Sequence, residues 1–367
     1  MKDASPSSTR SPWRRAGVIA GLLLALALSL VLASRSAFVQ DRLTERLATA
    51  RLQGSVGAQL DDDGLHVIVC GSGSPLPNPE RAQACVVVFA GGRGYVFDIG
   101  IGSAGNMGQW RLPAARIKDV FLTLFHSDHI GDLYELNLQG WTLGRGQPLR
   151  VHGPPGVETV VEGFQKTYSL DRRYRVQHHG ELLPAEHGDM VAAPFAVREG
   201  SEVVLEDGDL RILAFAVDHS PIEPAVGYRV DYRGRSVVIS GDTAPTPSLV
   251  EAYKDADILL HEALAPHVVS TLERAAGEAD QGRLQQILRD IPDYHTTPAQ
   301  AAELANQAKV RKLVLYHLVP GPPSFPPIAE WAFLRGVSDL RSDVTLAYDG
   351  ATYSLPVGSD AILERAL

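Results

Sequence analysis

Residues 123–132 read Thr-Leu-Phe-His-Ser-Asp-His-Ile-Gly-Asp, and this stretch decides the fold. Three metal-binding side chains, His126, Asp128 and His129, fall within four residues of one another. They follow the β-rich, apolar run 117–122 and precede an amphipathic run, which places them on a loop between a strand and a helix. Imidazole and carboxylate ligands together suit zinc, iron or manganese. An ordinary polar turn is the alternative, and it gives no reason for two histidines to flank an aspartate.

Further motifs follow in order along the chain. They are Asp218-His219 with Gly227-Tyr228-Arg229, Ser240-Gly241-Asp242-Thr243, His261-Glu262-Ala263, His295-Thr296-Thr297 and Tyr316-His317. Together with the first motif, they resemble the metallo-β-lactamase superfamily, and within it the ribonuclease Z-like branch. The resemblance extends over residues 64–356. The family's motif is His-x-His-x-Asp-His, and in this chain Leu124 stands in place of its first histidine.

The alternation of β-rich and amphipathic runs predicts two sheets flanked by helices, an α/β (α+β) fold. Strands are expected near 65–70, 84–90, 94–98, 149–152, 210–217, 225–231, 235–240, 257–261 and 312–316, and helices near 130–141, 155–168, 247–254, 265–290 and 298–308. The resemblance implies that they form a four-layer αββα sandwich over residues 64–367. The segment 170–200, with His178, His179 and His187, is predicted to be an irregular surface loop, and a substrate-facing arm is the alternative.

Ligands from distant positions are expected to meet at one edge of the sheets. His219, Asp242 and His317 each lie shortly after an apolar strand, where side chains from neighbouring strands converge. The resemblance implies two metal sites that share Asp242. The first site would be held by His126, His219 and Asp242, and the second by Asp128, His129, Asp242 and His317. One or two Zn²⁺ ions are the expected cofactor, with Mn²⁺ or Fe²⁺ as alternatives.

Leu124 leaves the first site with three protein ligands instead of four. Three ligands and a water molecule are a normal arrangement at a catalytic zinc ion, so this departure is compatible with activity. We expect the second site to fill first and the first site to bind its ion more weakly. The alternative is a catalytically degenerate member that acts as a binding protein on the same scaffold.

The resemblance implies hydrolysis of an ester bond by a metal-bound hydroxide, because cations lower the pKa of a bound water molecule toward neutrality. Asp128 is expected to orient this water or accept its proton. His295 stands where this branch keeps a histidine near the leaving group, and is a candidate general acid. Glu262 or His261 is expected to orient His295. Structural roles are the alternative for both histidines.

The N-terminal region is predicted to lie outside the folded domain. Residues 16–34 carry no charge and are rich in Leu, Ala and Val, just long enough to span a bilayer as one transmembrane helix. Residues 1–15 contain four basic residues and one acidic residue, which favours a cytoplasmic N-terminus and an exported, extracytoplasmic catalytic domain. A cleaved signal peptide is the alternative. Residues 35–63 are predicted to form a partly helical linker.

The chain contains two cysteines, Cys70 and Cys85. The first ends one apolar run and the second begins another, so the two thiols would meet if these strands pair. A disulfide bond fits an oxidising compartment, and two buried free thiols are the alternative.

Charge limits the choice of partner. Five of the 34 Lys and Arg and one of the 43 Asp and Glu lie in residues 1–35, so the rest of the chain has a net charge of −13. A nucleic-acid partner requires a basic surface, and the net charge of this part of the chain is negative. The family resemblance is therefore the only feature that implies a nucleic-acid partner. We expect a small-molecule substrate: a phosphodiester, a sulfate ester, a carboxylic ester or a lactone. A β-lactamase-type activity and a homodimer are open alternatives.

Overall fold

The apolar runs of the sequence pair into two β-sheets. The computed structural model of this chain describes residues 12–53, 60, 62–198 and 200–367. The chain divides into two compact units, Met1–Ser55 and Val56–Leu367. Both sheets belong to the second unit.

The described part of the first unit consists of helix α1 (Pro12–Ser34) and helix α2 (Ala37–Gln53). Across the described residues, no single helix has the length and apolar character needed to cross a membrane. The bent pair Ile19–Ser34 and Ala37–Ala50, with an angle of 74° at its break, meets this criterion of length and composition when its two members are taken together. The prediction of one continuous transmembrane helix over residues 16–34 is therefore not supported.

Helix α2 corresponds to the helical part of the predicted linker 35–63. Residues 54–59 and 61 of that linker lie outside the described part of the chain. Of the predicted cytoplasmic segment 1–15, residues 1–11 also lie outside it.

Within residues 62–198 and 200–367, the larger sheet contains eight strands. In spatial order they are β15 (Leu363–Ala366), β14 (Ala351–Pro356), β1 (Gly64–Gly71), β2 (Cys85–Ala90), β3 (Arg93–Phe97), β4 (Ile117–Phe121), β5 (Leu149–Gly153) and β6 (Met190–Pro194). Strands β3 to β6 are parallel, so their carboxyl ends share one edge of the sheet. Strands β1 and β2 are buried over their whole length because both faces of the sheet are covered.

The second sheet contains seven strands in the same part of the chain. In spatial order they are β13 (Val344–Leu346), β12 (Lys312–Val319), β11 (Ile258–Leu264), β10 (Arg235–Ile239), β9 (Val226–Tyr232), β8 (Leu210–Ala216) and β7 (Ser201–Asp207). Strands β10 to β13 are parallel. Strand β9 is antiparallel to both β8 and β10, so β8 and β10 end at the same edge.

Helices cover the outer faces of both sheets. Those of the second unit are α3 (Ser103–Gln109), α4 (Ser127–Ile130), α5 (Leu133–Thr142), α6 (Val157–Thr167), α7 (Ser169–His179), α8 (Leu249–Tyr253), α9 (Pro266–Glu278), α10 (Gly282–Asp290), α11 (Pro298–Gln307) and α12 (Ile328–Phe333).

Three apolar clusters define the layers. One joins the facing sides of the sheets, with Val67 of β1 and Val230 of β9 among its members. A second joins the larger sheet to α3, α5 and α6. A third joins the smaller sheet to α8, α11 and α12. The order of layers is therefore helices, sheet, sheet and helices, the αββα sandwich that the resemblance implied.

The prediction of an irregular loop over residues 170–200 was wrong for much of the segment. Helix α7 occupies its start, with His178 and His179 in the last turn, and β6 occupies Met190–Pro194. Helix α7 buries none of its residues, so it lacks the apolar stripe by which a helix is recognised in sequence. His187 lies in a short 3₁₀ turn.

The two cysteines form a disulfide bond across neighbouring strands. Cys70 in β1 and Cys85 in β2 are joined with their Cα atoms 5.0 Å apart. Both residues are fully buried, so the bond lies between the larger sheet and its covering helices.

Candidate metal-dependent active site

The first metal-binding motif lies at the carboxyl end of β4. His126 precedes the single-turn helix α4, in which Asp128 and His129 are buried. The turn is tied to the end of β3, because the backbone N–H of Ile99 donates to the carbonyl oxygen of His129 at 2.7 Å. The side chains of the motif are thus held where two parallel strands end.

Asp98, directly after β3, fixes the orientation of His129. Nδ1 of His129 donates to Oδ2 of Asp98 at 2.9 Å. Thr123 donates to the same carboxylate through its backbone N–H and its hydroxyl, both at 2.8 Å. Asp98 has a φ of 55°, a conformation that non-glycine residues adopt where surrounding bonds impose it. A carboxylate behind a histidine fixes its tautomer, so Nε2 of His129 is left for the site.

Asp242 follows β10 through a tight turn at Gly241. Gly241 has a φ of 63°, and a Cβ atom there would lie 2.6 Å from the carbonyl oxygen of Val226, so the turn requires glycine. Asp242 is buried, and its Oδ2 lies 3.2 Å from Nε2 of His129. The turn thus joins the end of the second sheet to the motif on the first.

His317 lies within β12 and not after it as predicted. The pairing of β11 with β12 shifts between Glu262 and Ala263, and His317 has a φ of 43°. Such an irregularity re-aims a side chain that would otherwise follow the pleat of the strand. Nε2 of His317 lies 3.1 Å from Oδ2 of Asp128 and 3.4 Å from Oδ1 of Asp242.

His219 reaches the site from the loop after β8. It is buried, and its Nδ1 donates to the carbonyl oxygen of Tyr294 at 3.1 Å. Its ring lies edge-on to that of His126, with 5.5 Å between the ring centroids. The loop that begins the α11 region therefore holds His219 in place.

The structure brings together all six side chains that the sequence singled out as ligands. Among the described residues, three groups have potential ligand atoms within 4.8 Å of one another: His126 with His219 and Asp242, Asp128 with His129 and His317, and Asp242 with His295 and His317. Asp242 also contacts His129 and His317 of the second group. The first two groups correspond to the two sites that the resemblance implies, and the third brings His295 within ligand distance of Asp242 and His317.

The donor set fits divalent cations. Oδ1 of Asp242 and Nδ1 of His317 are buried without a hydrogen-bond partner among the described residues. A buried polar atom without a partner is costly, and a cation would satisfy it. Four imidazoles and two carboxylates are a combination that binds zinc, manganese or iron.

Mutual attraction sets the protonation of the cluster. Burial alone would raise the pKa of Asp242, but His317 and His129 hold it well below its usual range. Burial alone would lower the pKa of His129, but Asp242 and Asp98 hold it well above its usual range. The buried carboxylates thus favour positive charge beside them, which a bound cation would supply.

A carboxylate–imidazole pair lies beside the six side chains. Nδ1 of His295 lies 3.2 Å from Oε2 of Glu262, and both residues are buried. Oε1 of Glu262 accepts from the backbone N–H of Thr296 at 2.7 Å. The His295 ring lies 5.5 Å from that of His219, centroid to centroid. Burial would lower the pKa of His295, but Glu262 and then Asp242 outweigh it and raise this pKa to about 9.

Comparison with known proteins places the chain in a family. Residues 95–318, more than half of the chain, match the family described as the beta-lactamase superfamily domain. The chain belongs to the metallo-β-lactamase superfamily. A curated protein named ribonuclease Z, from Mycobacterium bovis, is 34% identical to it over 262 residues, which are 70% of this chain and 86% of that protein. The chain is therefore a ribonuclease Z-like hydrolase.

Solved structures share the fold. The metallo-beta-lactamase fold protein YhfI from Bacillus subtilis is 20% identical, with a TM-score of 0.56 over 80% of this chain and 100% of that one. The short form of human tRNase Z is 23% identical, with a TM-score of 0.55 over 79% of this chain and 99% of that one. At these identities, the likeness extends to the architecture of the metallo-β-lactamase sandwich.

This ribonuclease Z-like protein departs from its family's motif at Leu124, which is fully buried. The group that contains His126 therefore lacks the ligand that the motif supplies there. His126 is also the one exposed member of the six. The group of Asp128, His129 and His317 is buried throughout.

Three functional candidates were not found from the sequence. Asp98 and Thr123 support His129 from behind, and Tyr294 supports His219. The available signal was an acidic residue directly after an apolar strand, which holds for Asp98. The contact of Tyr294 depends on a loop whose path the sequence pattern does not give.

Of the two residues expected to orient His295, Glu262 lies 3.2 Å from it. Nδ1 of His261 lies 2.7 Å from the carbonyl oxygen of Glu262, and its ring packs edge-on against Tyr253. His261 is fully buried. Its geometry is that of a structural histidine at a strand end.

Proposed function

We propose that this ribonuclease Z-like hydrolase uses two divalent cations to cleave a phosphodiester bond in a small organic substrate. The observation that carries the proposal is the convergence of six metal-binding side chains beside the Glu262–His295 pair. His295 is held by its own carboxylate beside the candidate ligands, an arrangement suited to a positioned proton donor. Membership of the ribonuclease Z-like branch supports phosphodiester chemistry in particular.

Zn²⁺ is the proposed cofactor, with Mn²⁺ and Fe²⁺ as alternatives. One ion would be held by His126, His219 and Asp242, and the other by Asp128, His129, Asp242 and His317. Cations bound there supply an activated water molecule and stabilise negative charge on the ester oxygens. Because the first group has one ligand fewer and an exposed member, we propose that its ion is the more labile of the two.

The chain's own residues would divide the remaining work. Asp128, with its Oδ2 at 3.1 Å from His317, is placed to orient the attacking water and receive its proton. His295 is placed to donate a proton to the leaving oxygen, and Glu262 keeps it protonated near neutral pH. Glu262 contacts no reacting atom and is a positioning residue.

Charge supports a small substrate over RNA. Residues 36–367 have a net charge of −13, which opposes a polyanion. The densest arginine group, in α7, is neutralised in part, because Arg172 pairs with Asp189 and Arg175 pairs with Asp171. RNA remains the substrate class suggested by the names of the relatives, and the experiment below includes it.

The test is hydrolysis of bis-p-nitrophenyl phosphate by purified protein, before and after metal removal with a chelator. We expect turnover to disappear with the metal and return with Zn²⁺ or Mn²⁺. Asp242→Asn should abolish turnover, whereas Asp119→Asn should retain it, because Asp119 pairs with His152 and Arg150 away from the cluster.

The same preparations should be assayed on a precursor transfer RNA, a chromogenic β-lactam, a lactone, an aryl sulfate and a carboxylic ester. If one of these substrates is turned over faster than the phosphodiester, the bond cleaved in that substrate replaces the phosphodiester in the proposed function. Absence of metal-dependent turnover on every substrate would favour the second candidate, a degenerate binding protein. The buried Leu124 at a ligand position is the observation behind that candidate.

We further propose that the catalytic unit is exported and that the N-terminal helices anchor it to the membrane. The buried Cys70–Cys85 disulfide supports an oxidising compartment. The apolar, uncharged run 16–34 supports an anchor or a signal peptide. Fractionation of cells that express the full chain tests this: the protein should sediment with membranes and be accessible to external protease once the cell wall or outer membrane is opened. Recovery in the soluble cytoplasm would refute it.

A further inference from the structure

An apolar groove lies between α9, α10 and two loops of the catalytic unit. Its volume is about 420 Å³, within the usual range for small-molecule sites. It is lined by Leu76 and Pro77 from one loop, by Pro320 from another, and by Leu272, Leu284 and Leu288 from the two helices, with alanines of α9 between them. None of the residues that line it is charged, and Gln281 is its single polar member.

The groove adjoins the candidate metal site. Pro320 follows His317 by three residues, so their Cα atoms are at most about 11 Å apart. Leu288 belongs to a buried cluster against which Tyr294 packs. Tyr294 in turn accepts a hydrogen bond from His219 and lies with its ring 5.2 Å from the His219 ring. Tyr294 thus contacts both His219 and the apolar cluster to which Leu288 belongs.

Helices α9 and α10 contribute to a small apolar cluster with Leu264 of β11 and Val319 of β12. Helix α9 directs few residues inward, since Val269 and Ala276 are its buried members, and Leu288 is the buried member of α10. Leu272 and Leu284 remain 40% and 38% exposed, so apolar surface faces solvent beside the site. Apolar surface that is grouped in a groove beside a candidate site can receive an apolar group of a ligand.

We propose that the groove holds an unbranched alkyl chain of the substrate, so that the protein acts on phosphodiesters that carry one apolar arm. The proposal rests on the hydrolase function given above. The phosphate would lie at the cations and the chain would run past Tyr294 toward Leu284. A nucleotide would leave these apolar side chains in contact with water or with a charged backbone, whereas an alkyl chain buries them.

The test compares p-nitrophenyl methyl phosphate with p-nitrophenyl octyl phosphate on the full chain loaded with Zn²⁺. Each methylene that leaves water favours binding by about fourfold at most, so we expect kcat/KM to be at least about tenfold higher for the octyl ester. Ala275→Trp fills the groove from an exposed position of α9, and Leu284→Glu places a charge in it. Both substitutions should lower the octyl-to-methyl ratio to near one.

Ile287→Trp is the matched control. Ile287 lies on α10, is 53% exposed and does not line the groove, so this variant should keep the octyl preference. An unchanged ratio in both groove variants would overturn the proposal. A change of oligomeric state in Ala275→Trp without a change in the ratio would also overturn it, because the groove would then be a contact between copies of this chain.

A binding measurement separates this proposal from the hydrolase proposal. Dansylaminooctanoate should bind to the full chain with increased fluorescence, be displaced by octyl phosphate, and bind at least about tenfold more weakly to Ala275→Trp than to Ile287→Trp. If no phosphodiester is cleaved but this pattern holds, the groove binds alkyl chains and the hydrolase proposal alone fails. Equal binding to both variants would refute the alkyl site whatever the turnover.

Discussion

Asp98 lies behind His129, with its Oδ2 atom 2.9 Å from Nδ1 of the imidazole ring. The two residues come from different loops, one after β3 and the other after β4, and the pairing is completed by two bonds from Thr123. This arrangement leaves one nitrogen of His129 free for a cation and fixes the direction in which it points. The candidate site therefore depends on a residue that need not touch a cation itself.

Asp98→Asn should weaken metal binding by about 10–100-fold, because the amide no longer raises the basicity of the imidazole. Competition with a zinc-binding chromophore measures this affinity. Asp119→Asn is the control, since Asp119 also pairs with a buried histidine but contacts none of the six ligands. An unchanged metal affinity in Asp98→Asn would contradict the role of Asp98 in orienting His129 as a metal ligand.

Leu124→His should increase the number of zinc ions that remain bound after dialysis from one to two per chain. The substitution restores the ligand position of the family's motif in the group that contains His126. Atomic absorption of dialysed protein gives the count, and Leu124→Met controls for the change in packing at this buried position. Two tightly held ions in the unsubstituted chain would contradict the proposed inequality of the sites.

His295→Gln should slow hydrolysis by about 10²–10⁴-fold for esters with poor leaving groups, because a general acid matters most when the leaving oxygen needs a proton. For a p-nitrophenyl leaving group, the loss should be much smaller. Glu262→Gln should show the same dependence on the leaving group with a smaller loss. His152→Gln is the matched control, since His152 is likewise buried beside a carboxylate. Equal losses for good and poor leaving groups would exclude proton donation by His295.

Asp119→Asn should lower the free energy of unfolding by about 1–3 kcal/mol at neutral pH, since it removes charged hydrogen bonds to His152 and Arg150. Burial would raise the pKa of Asp119, but these partners lower it below its usual value. The stabilisation is therefore present above the pKa of the unfolded chain, about 4, and is lost as the pH falls through the lowered pKa. Urea unfolding at several pH values should show the two proteins converge in acid, and a constant difference would contradict the assignment.

Removal of the disulfide should destabilise the catalytic unit by about 3 kcal/mol, as expected for a sequence separation of 15 residues. Cys70→Ala with Cys85→Ala is the variant, and thermal unfolding without reductant measures the loss. Thiol titration of the unfolded native chain, prepared without reductant, should find no free thiol. Two free thiols in protein recovered from its own cell would contradict both the bond and the proposed export.

The sequence predicted the architecture wherever an element carried a clear apolar pattern. The strands that end at the site were found because they are β-rich runs followed by a ligand, as at Asp242 and His219. Helix α7 was missed because all its residues are at least partly exposed, so composition alone made it look like a loop. The short edge strand β15 was missed because its four residues are exposed and alternate weakly.

The six candidate ligands could be named from motifs because each motif is local. The residues that support these ligands could not be named from the sequence. Asp98 contacts His129 across 31 positions of the chain, and Tyr294 contacts His219 across 75 positions. The path of β12 could not be predicted from the sequence either, because its bulge at His317 arises from the register of pairing with β11. The apolar groove could not be predicted either, because it depends on how α9 packs against α10, and the periodicity of a sequence does not give the relative orientation of two helices.

The decisive measurement is anomalous diffraction at the zinc edge from crystals of the full chain grown with Zn²⁺. We expect anomalous density among the six side chains, with the stronger peak between Asp128, His129, Asp242 and His317 and a weaker one beside His126 and His219. Absence of density at both positions, in crystals that show zinc elsewhere, would contradict the assignment of this cluster as a metal centre.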